Sequence, residues 1–136
     1  MSKLAKISMI MGLIGWFLWG MNNLCFADDH TVVSQTYRIV TAYNAGDPNQ
    51  TDDTPCIDAS NTDICQALDQ GELRCAANFV KLGTKIHIDK IGTCLVTDRT
   101  NRRYKNRVDI AMKKDEKKKA LRFGRQKLLV KILKEM

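Results

Sequence analysis

Alternation between apolar and polar positions is the strongest signal in this chain. Residues 36–43 place Tyr37, Ile39, Thr41 and Tyr43 on one face of a strand, with Tyr37 and Tyr43 expected in the core. A turn-rich stretch follows from Asn44 to about Asn61, broken at Gly46-Asp47-Pro48 and Thr54-Pro55. The segment DICQALDQG then predicts a short helix, with Asp63 and Gln66 at capping-box spacing and Gly71 where the helix stops. Further strands are expected at residues 73–77, 85–89, 93–97 and 107–112. In one of them Ile86 and Ile88 alternate with Lys85, His87 and Asp89, the pattern of a half-buried strand. A second helix with a charged face is expected from Lys114 to Gly124, and KLLVKIL after it reads as a sixth strand. Six short strands with few two-residue hairpin turns, no repeat and no low-complexity linker fit a small closed barrel better than a sandwich.

The start of the chain changes the picture of where that domain resides. Lys3 and Lys6 precede an apolar run at 7–21, and small Ala27 precedes Asp28-Asp29, the layout of a secretory signal peptide. The run is shorter than the roughly 20 residues that a spanning helix needs, so cleavage after Ala27 is the first reading and a retained anchor its rival. Lipid attachment at Cys25 is a weaker fit, because Asn22-Asn23-Leu24 lacks the small residues of such a signal. The domain organisation expected is therefore a signal peptide at 1–27 and one compact domain at 28–136. Losing two lysines and no acid lowers the net charge from +7 to +5, a balance that favours anionic partners.

Cys56, Cys65, Cys75 and Cys94 remain after cleavage. An even number in a small exported chain reads first as two disulfides, with three pairings open. Zinc is the rival, disfavoured because the spacing contains no C-x-x-C knuckle, so no metal is expected. No other cofactor is implied, since no Gly-rich phosphate loop, Ser-His-Asp order or nucleic-acid motif occurs.

The motifs TAYN at 41–44, AANFVKLGTKI at 76–86, LVTDR at 95–99, NRVDI at 106–110 and ALRFGRQ at 120–126 together resemble the 3D domain. That module is a six-stranded double-psi β-barrel named for three aspartates and similar to the catalytic domain of MltA-type lytic transglycosylases. The likeness spans about residues 36–133 in family order. Within the group, QTDDTPC and YKNRVDIAMKKDEK look most like the EnhA-like proteins of intracellular bacterial pathogens, named for enhanced invasion of host cells.

The resemblance implies a mainly β fold and an active-site loop. It puts the second family aspartate at Asp98 and the third at Asp109, 11 residues apart as in the family. The first falls on Asn78, which cannot ionise. The family's Gly-Gly between the surviving pair is replaced by Thr100-Asn101, although glycine is what lets a backbone approach a sugar closely. A lytic transglycosylase needs one carboxyl group that serves first as acid and then as base, because the substrate's own 6-hydroxyl attacks. The resemblance gives that role to Asp98, with Asp109 tuning it and Thr41, Asn78 and Arg107 shaping the substrate pocket. Arg99, Arg102, Arg103 and Arg107 would oppose a proton on Asp98 if they pointed inward.

The blander reading is that Asp98 and Asp109 only anchor turns. His30 and His87 read as exposed side chains, and Phe79 as core. Three functions follow, ranked in this order. The first is an exported enzyme, periplasmic, outer-membrane associated or secreted, that cleaves peptidoglycan glycan strands. The second is a non-catalytic peptidoglycan-binding module, and the third a disulfide-stapled factor that meets anionic envelope or host surfaces through the run from Lys113 to Lys119.

Overall fold

The computed structural model describes residues 30–135, so the expected signal peptide lies outside the described residues. Six strands form one closed barrel: β1 (His30–Asn44), β2 (Arg74–Ala77), β3 (Lys85–Ile88), β4 (Gly92–Asp98), β5 (Arg107–Met112) and β6 (Gln126–Glu135). The order around the ring is β1-β5-β2-β4-β3-β6. Two pairs, β1 with β5 and β2 with β4, run parallel, and the other four are antiparallel. Helix α1 (Ile64–Asp69) sits in the connection from β1 to β2, and α2 (Lys117–Phe123), entered through a 3₁₀ turn at Lys114–Glu116, joins β5 to β6.

Every strand feeds the interior by alternation. Val40, Cys75, Ala77, Ile86, Ile88, Cys94, Val96, Val108, Ile110, Leu128 and Val130 form one core cluster. Both sulfurs of the Cys75–Cys94 disulfide belong to it and join β2 to β4.

The core face of β1 is the one that carries Val40, and this corrects the expectation for Tyr37. Tyr37 is 64% exposed, whereas Tyr43 packs outside the barrel against a second cluster of Ala45, Ile64, Leu68 and Ala111. Phe79 does pack against the main core, with the Arg38 guanidinium 3.5 Å above its ring. His87 is half-buried rather than exposed and pairs with Thr93 Oγ1 at 3.1 Å.

The second cluster is built by the long connection after β1. Asp63 caps α1 by accepting from the Gln66 N–H, and the Cys56–Cys65 disulfide staples the loop to the helix. Gly46, at φ +83°, is needed beside that staple: a Cβ there would stand 3.2 Å from Cys65 Sγ and 3.5 Å from Cys56 Sγ. The connection thus forms a cover over the outer face of β1 and β5.

Candidate active site

Strand register brings the two aspartates into one row. Thr41 on β1 pairs with Asp109 on β5, Asp109 pairs with Ala76 on β2, and Ala76 pairs with Asp98 on β4. Two strand spacings separate the Asp109 and Asp98 backbones, about 10 Å, with Ala76 between them in the row.

Simple alternation would not have put Asp98 there. Val96 faces the core, and two residues on Asp98 would face it too. The β2–β4 register instead slips by one between Cys75 and Ala76, whose partners are Val96 and Asp98. The extra residue, Thr97, forms a bulge that turns Asp98 to the outer face, the kind of local re-aiming that bulges produce beside active sites.

Three donors then fix the Asp98 carboxylate. Tyr43 Oη donates to Oδ2 at 2.8 Å, while the Ala59 and Arg99 N–H groups donate to Oδ1 at 3.1 and 2.9 Å. Tyr43 lies two residues after Thr41 on the same face of β1, so its ring spans the row. Burial, followed by the charge of Asp98 and the hydrogen bond to it, pushes the Tyr43 phenol well above its ordinary range. Tyr43 therefore acts as a fixed donor and not as a base. Ala59 is held in place by Asp58, whose carboxylate accepts from the Ser60 and Thr62 N–H groups and the Thr62 hydroxyl.

Asp109 is in a different environment. Its Oδ1 accepts from Thr41 Oγ1 at 2.9 Å. Burial raises its pKa, the Thr41 bond and the charge of Arg107 oppose the rise, and the charge of Asp98 adds to it.

Both aspartates line a cavity of about 530 Å³, within the roughly 300–1,000 Å³ usual for small-ligand sites. Its walls come from the cover (Asp52, Pro55, Ile57, Asp58) and from the loop after β4 (Thr100, Asn101, Tyr104). Arg99 also lines it, and the nearby arginines are engaged with other groups. Arg99 donates through one nitrogen to the Ala77 and Val80 carbonyls, both at 2.6 Å. Arg103 and Arg107 lie over the Tyr104 ring, 4.8 and 3.6 Å from its centroid, and Arg102 is exposed.

Of the residues expected to line the substrate site, Asp98 and Asp109 do, and Thr41 stands behind Asp109. Arg107 lies outside the cavity, in a separate groove beyond Tyr104. Asn78 is not a lining residue. Its Nδ2 donates to the carbonyls of Thr100, Asn101 and Tyr104 at 3.0, 3.0 and 3.3 Å, and so clamps the wall loop from behind. Sequence reasoning missed Tyr43, Asp58 and the Ala59 N–H. The TAYN motif held the signal for Tyr43, because residues 41 and 43 share a strand face.

An aspartate at that clamp should weaken the fold. In Asn78→Asp a carboxylate would face three carbonyl oxygens, a loss of about 1–3 kcal/mol at neutral pH by urea denaturation. Those oxygens would raise the pKa of the new carboxyl, so the deficit should shrink as the pH falls through that raised value and be gone below the unfolded carboxyl range of about 4, where a neutral acid has a proton to donate. A variant as stable as the parent at pH 7 would show that the clamp contributes little.

A scan against protein-family models gives no match for this chain, and a search of curated proteins gives none either.

Proposed function

We propose that this is an exported cell-wall protein that cleaves peptidoglycan glycan strands in the manner of a lytic transglycosylase. The observation that carries the reading is the outward-facing pair of aspartates in one cavity, with unlike surroundings. Such a contrast is how a site divides labour between two carboxyl groups. Asp109, raised by burial, gives its proton to the leaving oxygen as the glycosidic bond breaks, and its carboxylate then takes the proton of the substrate's 6-hydroxyl as that oxygen bonds to the anomeric carbon. Asp98, oriented by Tyr43 and two backbone N–H groups, faces the charge that develops at the anomeric carbon. The acid–base role that the resemblance gives to Asp98 thus passes to Asp109. Two disulfides are compatible with export, and the parallel pairs inside a closed barrel are compatible with double-psi wiring.

One observation favours a second reading, a binding module without turnover. The clamp at Asn78 holds Thr100 and Asn101, the pair that replaces the family's Gly-Gly, as part of the cavity wall. Side chains there narrow the approach of a sugar ring.

Mass spectrometry of purified peptidoglycan incubated with the protein separates the two. Anhydro-muropeptides released by the parent, but not by Asp98→Asn or Asp109→Asn, are the expected result. Retained sacculus binding with no soluble product from any of the three would give the binding module precedence.

A further inference from the structure

Beyond Tyr104, on the opposite side from the aspartates, lies a shallow groove of about 640 Å³. Six cations line it: Arg38, Arg103, Lys105, Arg107, Arg125 and Lys127. No acid lines it among the described residues. These cations come from β1, the wall loop, the start of β5, the turn after α2 and β6, so the barrel gathers charge that is scattered in the sequence.

The contrast with the lysine-rich run from Lys113 to Lys119 is informative. There Lys113 faces Asp69 at 3.5 Å, Lys117 faces Asp47 at 3.8 Å and Lys119 pairs with Glu116 at 3.0 Å. Those partners partly cancel the field of that helix face. Among the described residues the groove has no acid in its lining to cancel its field in that way, and two of its cations are held ready. Arg38 is stacked on Phe79 and donates to Asn106 Oδ1 at 3.2 Å, and Arg107 is stacked on Tyr104. A guanidinium fixed in this way loses little freedom on binding, and its planar fork suits carboxylate and sulfate oxygens.

We infer that this groove binds a linear acidic glycan, a chain bearing carboxylate or sulfate groups. Two observations favour that partner over other polyanions. The Tyr104 ring is already occupied by arginines, which leaves Tyr37 as the exposed ring in the groove and gives no series of platforms for stacking successive bases. Arginines outnumber lysines four to two, the balance of a site that recognises planar oxyanions. The inference does not depend on the glycan-cleavage reading.

Titration calorimetry tests it with a heparin octasaccharide and an oligogalacturonate as the sulfated and carboxylated probes. A single-stranded oligonucleotide of matched charge and phosphatidylglycerol vesicles are run beside them. Two triple variants are compared with the parent. One neutralises the groove (Lys105→Gln, Arg125→Gln, Lys127→Gln), and the other neutralises the α2 face (Lys114→Gln, Lys118→Gln, Arg122→Gln). All six residues are exposed, so both variants should fold. The parent should bind at least one acidic glycan with salt-dependent affinity. The groove variant should bind at least about tenfold more weakly with a flatter salt dependence, and the α2 variant within about twofold of the parent. Equal losses in both variants would show that net charge acts instead of the groove and would overturn the inference. So would tighter binding to the oligonucleotide or the vesicles, or no binding to either glycan at low salt.

Discussion

Asp109→Asn is expected to reduce release of anhydro-muropeptides by about 10²–10⁴-fold, the span usual for losing a positioned acid–base group. The same variant should be at least as stable as the parent at pH 7. Burial raises the pKa of Asp109, so the folded state holds this proton more tightly than the unfolded chain does. Its contribution to stability is therefore fully present below the unfolded carboxyl range of about 4 and is lost as the pH rises through the folded value. An asparagine still accepts from Thr41 and carries no charge into the cavity, so that pH-dependent loss should disappear. Urea midpoints at pH 4 and pH 7, with rates of muropeptide release, check both halves. A variant that keeps its activity would remove Asp109 from the chemistry, and one with an unchanged pH slope of stability would show that Asp109 does not carry the raised pKa.

The two disulfides should separate stability from the site. Replacing Cys75 and Cys94 with alanine opens a link between residues 19 apart and leaves a gap where both sulfurs were fully buried. The chain-entropy relation gives about 3 kcal/mol for a loop of that size, and the lost packing adds to it. Replacing Cys56 and Cys65 releases a loop of 9 residues and frees the cover that supplies Asp58 and the Ala59 N–H. That change should cost about 2–3 kcal/mol and, in addition, loosen the Asp98 carboxylate. Denaturant unfolding ranks the two losses, and muropeptide release at a temperature where both variants are folded reads the site. Losing activity with the Cys75–Cys94 pair but not with the Cys56–Cys65 pair would invert this account.

Where one side of a strand is buried, the sequence spoke clearly. Ile86 and Ile88 on β3 and Val108 and Ile110 on β5 alternate with polar residues, and those strands lie within a residue or two of where alternation puts them. The first part of β1 was invisible for the opposite reason. Residues 31–37 are exposed, and their extended form comes from the ladder with β6, which no local pattern records. On the same strand the aromatic side chains pointed to the wrong face. Tyr37 and Tyr43 are the bulkier residues, yet Val40 is the side chain of that strand in the main core. The row of Thr41, Asp109, Ala76 and Asp98 was only half legible. Resemblance named Asp98 and Asp109, but the bulge at Thr97 that aims Asp98 outward is a property of paired strands. The groove of six cations could not be read at all, since its members are up to 89 positions apart, from Arg38 to Lys127.

The ring has a temporal consequence. β6 bonds to both β1 and β3, so the barrel stays open until the sixth strand has been delivered. A chain threaded through a membrane from its amino end would carry two unsatisfied strand edges and an exposed Val40–Val96 interior throughout its passage. It would close late and in one step when residues 126–135 arrive, because loop closure over so long a span must precede the contacts that reward it. Rigidity therefore comes to the whole ring with its carboxy-terminal strand.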